Sequence, residues 1–341
     1  MTDDTAFLRL AEALGSRVRR DVALAPYTAM RVGGPADLLA VVDSAEELVR
    51  AVRLARQHVI PCRVLGCGCN VLISDEGVPG LVVVNRANSV SFSSQTVQAE
   101  SGAKLAVVAD MAVSSGLAGL SWASGLPGTV GGAVVSNAGA YGGDVAGTLR
   151  SARILQPNGE VHERPQSWFE FRYRGSRLKA IAGDRRYAGL GTDDQGGQAG
   201  ARGSVVLDVV FEMHWSDALA LRARADEVLA HRRAHHPSGA TMGCTFKNPP
   251  GDHAGRLIER AGLKGYRVGG ARISEKHGNF FVNTGQATAR DVLELIEHAR
   301  AEVARYFGVT LELEIELLGW NGTHCPDGQW PGHDRTEARA R

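Results

Sequence analysis

Lysine is scarce in this chain of 341 residues. Of its 38 basic residues only Lys104, Lys179, Lys247, Lys264 and Lys276 are lysines, and 37 acidic residues leave a net charge of +1. That balance excludes the basic face of a nucleic-acid binder and the polybasic patch of a membrane-surface protein. No apolar run approaches the roughly 18 residues of a membrane helix, and Met1-Thr2-Asp3-Asp4 carries acid where a secretory leader carries base. The expectation is a cytoplasmic protein that binds small molecules, with no membrane, nucleic-acid or obligatory protein partner. Cysteines are few and odd in number: Cys62, Cys67, Cys69, Cys244 and Cys325. Their spacing fits neither a disulfide framework nor a paired CxxC zinc site, so free thiols are expected. The histidines show no HxxxH or His/carboxylate spacing, and no metal is expected.

The apolar periodicity describes alternating helices and short strands. A helix is expected over Asp4 to Val18 and a strand over Leu38 to Val42. Ser44 and Glu47 form a capping box for a helix to His58. A buried strand around Arg63 to Leu65 and the strands Val71-Leu72-Ile73 and Gly80 to Val84 surround a glycine loop. Short β-stretches from Ser89 to Glu100 precede a helix over Leu105 to Ser115, closed by Gly116. Strands at Ile154-Leu155 and Val205 to Met213 flank Ala182 to Gly203, whose Gly, Arg, Asp and Gln content points to a mobile insertion. Helices follow at Arg222 to His235 and Asp252 to Ala261. In the last helix, Thr288 and Asp291 make a capping pair and Val292, Leu295, Ile296, Ala299 and Val303 share a face. Val309 to Leu317 alternates as one strand, burying the odd positions. The chain after Gly319 is polar and expected to be disordered.

Two glycine-rich stretches dominate the chemistry. The first is Gly66-Cys67-Gly68-Cys69-Asn70. The second runs from Gly125 through Pro127, Gly128, Thr129, Gly131 and Gly132 to Asn137, Gly139 and Gly142. Glycine lets backbone N–H groups approach an anion together, as a diphosphate needs where no lysine is supplied. No GK[ST] follows the second stretch, which excludes a Walker A, and the first lacks the third glycine of GxGxxG. Without basic residues, the pair points to a dinucleotide cofactor in a non-Rossmann fold. Phe171-Arg172-Tyr173-Arg174-Gly175-Ser176 places arginine beside an aromatic, suited to a carboxylate or enolate oxygen. Met242-Gly243-Cys244-Thr245-Phe246-Lys247-Asn248-Pro249 holds a thiol, a hydroxyl, an ammonium and an amide within five residues. Periodicity alone does not choose among Glu312, Glu314 and Glu316.

Taken in order, these segments resemble the UDP-N-acetylenolpyruvoylglucosamine reductase (MurB) family. The likeness runs from Thr28-Ala29-Met30-Arg31-Val32-Gly33-Gly34-Pro35-Ala36 through both glycine stretches and Tyr173-Arg174-Gly175-Ser176. It continues through Phe246-Lys247-Asn248-Pro249, Ala261-Gly262-Leu263-Lys264-Gly265 and Ser274-Glu275-Lys276-His277 to Gly319. The resemblance implies an α+β architecture. An FAD-binding PCMH-type (vanillyl-alcohol oxidase-like) region of two subdomains, split near residue 86, would occupy residues 1–214. A smaller α+β substrate-binding domain would occupy 215–319, and 320–341 would form the tail. It implies FAD as cofactor, NADPH as co-substrate and a UDP-linked enolpyruvyl amino sugar as substrate, reduced for peptidoglycan synthesis.

The resemblance also assigns roles. FAD would lie on Gly66, Gly68, Cys69, Asn70, Gly125, Pro127, Gly128, Thr129, Gly131, Gly132, Asn137 and Gly139. Tyr173, Lys247 and Asn248 would contact substrate. Arg174 matches the arginine that polarises the substrate carboxylate, and Glu314 the glutamate of a C-terminal Glu-Val-Arg motif. The family's proton donor to C2 is a serine whose position here is Cys244, with Thr245 next to it as a fallback. A thiol with an ordinary pKa of about 8.5 is mostly protonated at neutral pH and is a stronger acid than a hydroxyl. Cys69 likewise replaces a serine, and Glu316 stands where the family has arginine. These departures leave room for a same-fold flavin oxidase or dehydrogenase on another substrate, or a non-catalytic flavin- or nucleotide-sugar-binding paralogue.

Overall fold

A computed structural model describes residues 4–179 and 203–320. All but the last residue of the expected insertion Ala182 to Gly203, with Tyr187, lies outside the described residues, as do Cys325 and the tail from 321. The chain divides into two compact units. The first comprises Met1–Val22, Asp37–Cys69 and Gly80–His235; the second comprises Ala23–Ala36, Asn70–Pro79 and His236–Arg341. The break expected at residue 215 therefore falls after His235. The helix Ala218–His235 stays with the first unit because its Leu221 and Ala225 bury against Val113 and Ala118.

Two larger sheets frame the first unit. One has four strands in the order Val18–Ala23, Pro35–Val42, Val78–Asn85, Cys62–Leu65, the last two parallel. The helix Ala45–Gln57 buries Leu48, Ala51, Val52 and Ala55 in the same core as Leu38, Ala40, Leu81 and Val83. Each of these leucines and valines contributes about 1.5–3 kcal/mol on burial. Ser44 caps the helix through Glu47 N–H, but the Glu47 carboxylate returns to Asp43 N–H, one residue before the position a capping box requires. The strand at Arg63 to Leu65 is only partly buried. It is paired along one side in this sheet, so Arg63 and Val64 remain exposed and Leu65 alone is covered.

The second sheet is antiparallel, in the order Val161–Pro165, Leu149–Leu155, Val205–Glu212, Thr96–Glu100, Val90–Ser93. The helices Leu105–Ser114 and Val130–Ser136 share its core: Val108, Val130 and Val134 pack with Val97, Ile154 and Phe211.

In the second unit an antiparallel sheet runs in the order Ala240–Cys244, Phe280–Asn283, Ala271–Ile273, Arg267–Val268. The helix Ala289–Phe307 opens on a complete Thr288/Asp291 capping box and closes on left-handed Gly308. Its face Val292, Leu295, Ile296, Ala299 and Val303 is fully buried. The two N-terminal segments are tied in by side chains. Asp75 accepts from Ala289 and Arg290 N–H at 2.8 and 3.0 Å, and Asn283 donates to the Met30 carbonyl at 3.0 Å. The strand expected over Val309 to Leu317 is not continuous. Leu313 bridges Phe246, after which Glu316–Leu318 pairs in parallel with Val71–Ile73. Burial alternates only in part, with Leu311 and Ile315 covered but Val309, Leu313 and Leu317 partly exposed, because the chain bends at Ile315 and changes partner.

Candidate active site

In the first unit the strand Cys62–Leu65 ends where the first glycine stretch meets the second. A Cβ on Gly66 would lie 2.4 Å from Thr129 Oγ1, so only glycine permits that contact. Gly68, left-handed at φ 60°, turns the chain so that Cys67 and Cys69 face each other with 3.0 Å between sulfurs. The second stretch docks on residues 101–105. Gly131 and Val130 donate to the Ser101 and Ala103 carbonyls, both at 2.8 Å, and the Gly128 carbonyl accepts from Leu105 N–H at 3.1 Å. Thr129 precedes the helix Val130–Ser136 that holds Gly131 and Gly132; Gly125 and Pro127 lie in the loop before it.

Asn137 ends that helix in a left-handed conformation. Its amide donates to Asp144 and the Arg172 carbonyl at 3.3 and 3.1 Å and accepts from Ala146 N–H at 3.0 Å, so it ties three chain segments together. Arg172 and Gly175 exchange backbone hydrogen bonds across a tight turn carrying Tyr173 and Arg174, the latter at φ 53°. Arg174 donates through Nη1 to the Gly139 carbonyl at 2.8 Å and lies 5.7 Å from the ring centre of Tyr173, which is exposed. Buried Ser176 closes the network on the Val135 carbonyl at 2.6 Å.

The second unit contains Asn70, Cys244, Lys247, Asn248 and Glu314. Cys244 ends the strand Ala240–Cys244 opposite Phe280 and is half-buried, whereas Thr245 is fully buried with its hydroxyl unpaired. Glu314 N–H donates to the Thr245 carbonyl at 2.9 Å, and Lys247 N–H to the Glu312 carbonyl at 2.9 Å. The two stretches are thus in fixed register. Asn70 joins them, donating to the Glu314 carbonyl at 3.1 Å and accepting from Glu316 N–H at 2.9 Å. The Lys247 ammonium pairs with the Glu312 carboxylate at 3.1 Å, and Asn248 accepts from Ala254 N–H at 3.1 Å at the head of the helix Ala254–Arg260.

Three residues with no role in the sequence reading hold these elements. Asn279 is buried; its amide takes Phe246 N–H at 2.9 Å and gives to the Phe246 carbonyl at 2.7 Å, while its own carbonyl accepts from Thr245 N–H at 2.9 Å. Ser176 anchors the arginine turn. Lys104 corrects the view that the loops lack a basic residue: its backbone bridges Thr129, and its ammonium acts on Cys67 and Cys69. Long-range pairing gives no spacing signal that finds Asn279 or Lys104; Ser176 sits in a visible motif.

The Cys67 thiol is held down to about 7. A hydrogen bond from Cys69 does most of this, helped by the backbone amides of Cys67 and Cys69 and by Lys104, with burial opposing. Cys69 is correspondingly pushed above the ordinary thiol range by its neighbour. Two side-chain-poor backbone segments in contact, amides that favour negative charge and a nearby ammonium fit a dinucleotide diphosphate.

A family model described as UDP-N-acetylenolpyruvoylglucosamine reductase, C-terminal domain, matches residues 235–318, and one described as FAD binding domain matches residues 36–164. UDP-N-acetylenolpyruvoylglucosamine reductase 2 of Symbiobacterium thermophilum is 42% identical over 308 residues, 89% of this chain and 93% of that protein. The chain belongs to the UDP-N-acetylenolpyruvoylglucosamine reductase family. The reductase of Rubrobacter xylanophilus is likewise 42% identical, over 88% of this chain and 94% of its own. The crystal structure of the Thermus caldophilus reductase shares 37% identity at a TM-score of 0.72, covering 89% of this chain and 99% of that one. These likenesses bear out the expected α+β flavin-binding architecture and the FAD cofactor. The reductase C-terminal match begins at residue 235, one residue before the second unit resumes. Among the described residues no helix is long and apolar enough to cross a membrane.

Proposed function

We propose that this chain is the FAD- and NADPH-dependent reductase that converts UDP-N-acetylglucosamine enolpyruvate to UDP-N-acetylmuramate. The observation that carries the reading is the likeness to reductases over about nine-tenths of the chain, through flavin domain and C-terminal domain alike. FAD, held by the two glycine stretches, would supply hydride transfer from NADPH to the enolpyruvyl group. The remaining work belongs to side chains. Arg174, braced by the Gly139 carbonyl, pairs with the substrate carboxylate and stabilises the charge that spreads into it as C2 becomes electron-rich. Glu314 is the second unit's carboxyl group in the reaction. Cys244 protonates C2. Its half-exposure supports this role over Thr245, whose hydroxyl is fully buried.

Lys104 and the amides of Gly66 to Asn70, with those of Gly128, Thr129 and Gly132, would hold the diphosphate, and Tyr173, Lys247 and Asn248 would contact the nucleotide sugar. The reaction runs in the cytoplasm and feeds peptidoglycan assembly for growth and division. The test is anaerobic. NADPH should bleach the flavin of the purified holoprotein, and the UDP-linked enolpyruvyl sugar should restore its absorbance. A flavin that NADPH does not bleach, or that stays bleached after the sugar is added, sinks the proposal.

A further inference from the structure

We infer that Cys67 and Cys69 are a peroxide-sensing dithiol, closing to a disulfide that reshapes the first glycine loop and loosens its hold on flavin. Their sulfurs lie 3.0 Å apart, and the Cys69 thiol also reaches the Cys67 carbonyl at 3.6 Å. Only Gly68 separates them, and its left-handed turn puts both side chains on one side of the loop. Both residues are partly exposed, so a small oxidant can reach them.

The chain supplies its own comparison. Cys62, four residues before Gly66, is pushed up to about 11 by burial, while Cys67 is held at about 7. At neutral pH Cys67 has a large thiolate fraction and Cys62 almost none, and the thiolate is the nucleophile. Cys69, adjacent and protonated, is placed to resolve the first product.

The chemistry balances. The Cys67 thiolate attacks one oxygen of hydrogen peroxide, the O–O bond breaks, and the departing hydroxide leaves as water with the proton released when Cys67 ionised. Cys67 is then a sulfenic acid. Cys69 sulfur attacks Cys67 sulfur, the S–O bond breaks, and the hydroxyl leaves as water with the Cys69 proton. Two thiols and one peroxide give one disulfide and two waters; two electrons pass from sulfur to oxygen. Gly66 touches Thr129, so a covalent link across residues 67–69 acts where the two glycine stretches meet.

The holoprotein is treated with hydrogen peroxide, free thiols are alkylated, and the peptides are weighed. The peptide containing residues 67 and 69 should lose two hydrogens, at least about tenfold faster than Cys62 reacts, and a dithiol reductant should restore it. Loss no faster than at Cys62, or oxidation to sulfinic acid without an S–S link, overturns the assignment. Cys69→Ser should halt Cys67 at the sulfenic acid, trapped by a carbon nucleophile; no trapped adduct overturns it. Reduced and disulfide forms are then compared for flavin retention by ultrafiltration. The disulfide form should release flavin with an apparent Kd raised at least about threefold; equal retention overturns the coupling to the loop. The thiol readout does not depend on turnover, so it stands or falls apart from the reductase reading.

Discussion

In the first unit the second glycine stretch is docked by main chain, and the arginine turn by the side chains of Asn137 and Ser176. Gly66 meets Thr129, Gly131 and Val130 donate to residues 101 and 103, and Arg174 braces itself on the Gly139 carbonyl. In the second unit a single buried side chain does comparable work. Asn279 satisfies both backbone groups of Phe246 and, through its carbonyl, Thr245 N–H, fixing the strand that ends at Cys244. The difference follows from what each unit is proposed to present. A diphosphate is recognised by many weak donors that need close backbone approach, so side chains are removed. A proton donor is one group whose reach must be set, so an added side chain sets it. Lesions in the glycine stretches should therefore act on cofactor retention and lesions around Cys244 on substrate reduction.

The largest expected effect is at Cys244. Cys244→Ala should leave NADPH reduction of the flavin nearly unchanged and slow reoxidation by the enolpyruvyl sugar by about 100- to 10,000-fold, the usual weight of a general acid. Cys244→Ser should recover most of it. Stopped-flow measurement of the two half-reactions separates them, and equal losses in both would remove Cys244 from the chemistry. Asn279→Ala leaves Phe246 N–H and C=O without their buried partner, at about 1–3 kcal/mol for each group. Urea unfolding should show a loss of about 2–6 kcal/mol, with flavin affinity of the folded holoprotein close to normal. A variant that loses flavin but not stability breaks the comparison.

Gly66→Ala should weaken FAD binding by about 10- to 100-fold, since overpacking costs about 1–3 kcal/mol. Removing the colliding side chain in Gly66→Ala/Thr129→Gly should recover part of that, and a flavin titration of the double-mutant cycle reads the coupling. No recovery would mean that the loops do not meet as described. The smallest effect is at Lys104, whose side chain is exposed. Lys104→Ala should weaken FAD binding by about 2- to 5-fold, in keeping with the roughly 0.2–1 kcal/mol of an exposed ion pair. The deficit should shrink in high salt, which a titration at two ionic strengths checks.

Much of the architecture was legible because the signals are local. The Thr288/Asp291 cap, the buried face from Val292 to Val303 and the stop at Gly308 need only neighbours along the chain. The candidate site was legible where chemistry and unusual spacing coincide, as in the glycine stretches and Tyr173-Arg174-Gly175-Ser176. Asn279 was not, because one asparagine carries no pattern and its partner Phe246 is 33 residues away. The extent of the first unit was missed for a related reason. Polar, arginine-rich Ala218–His235 shows no strong apolar face, and Leu221 and Ala225 acquire their meaning only against Val113 and Ala118.

By itself the sequence determined the kinds of element, the glycine-rich character of the proposed cofactor loops and the thiol in place of a hydroxyl at position 244. Periodicity, φ preference and acidity are properties of a residue and its near neighbours. Only the tertiary structure decided that Asn70 belongs with Glu314, that Thr129 rests on Gly66, that a lysine serves loops which seemed to lack one, and that Cys67 and Cys69 differ in acidity. Each of these depends on distance through space, and chain separation does not fix that distance until the core has packed.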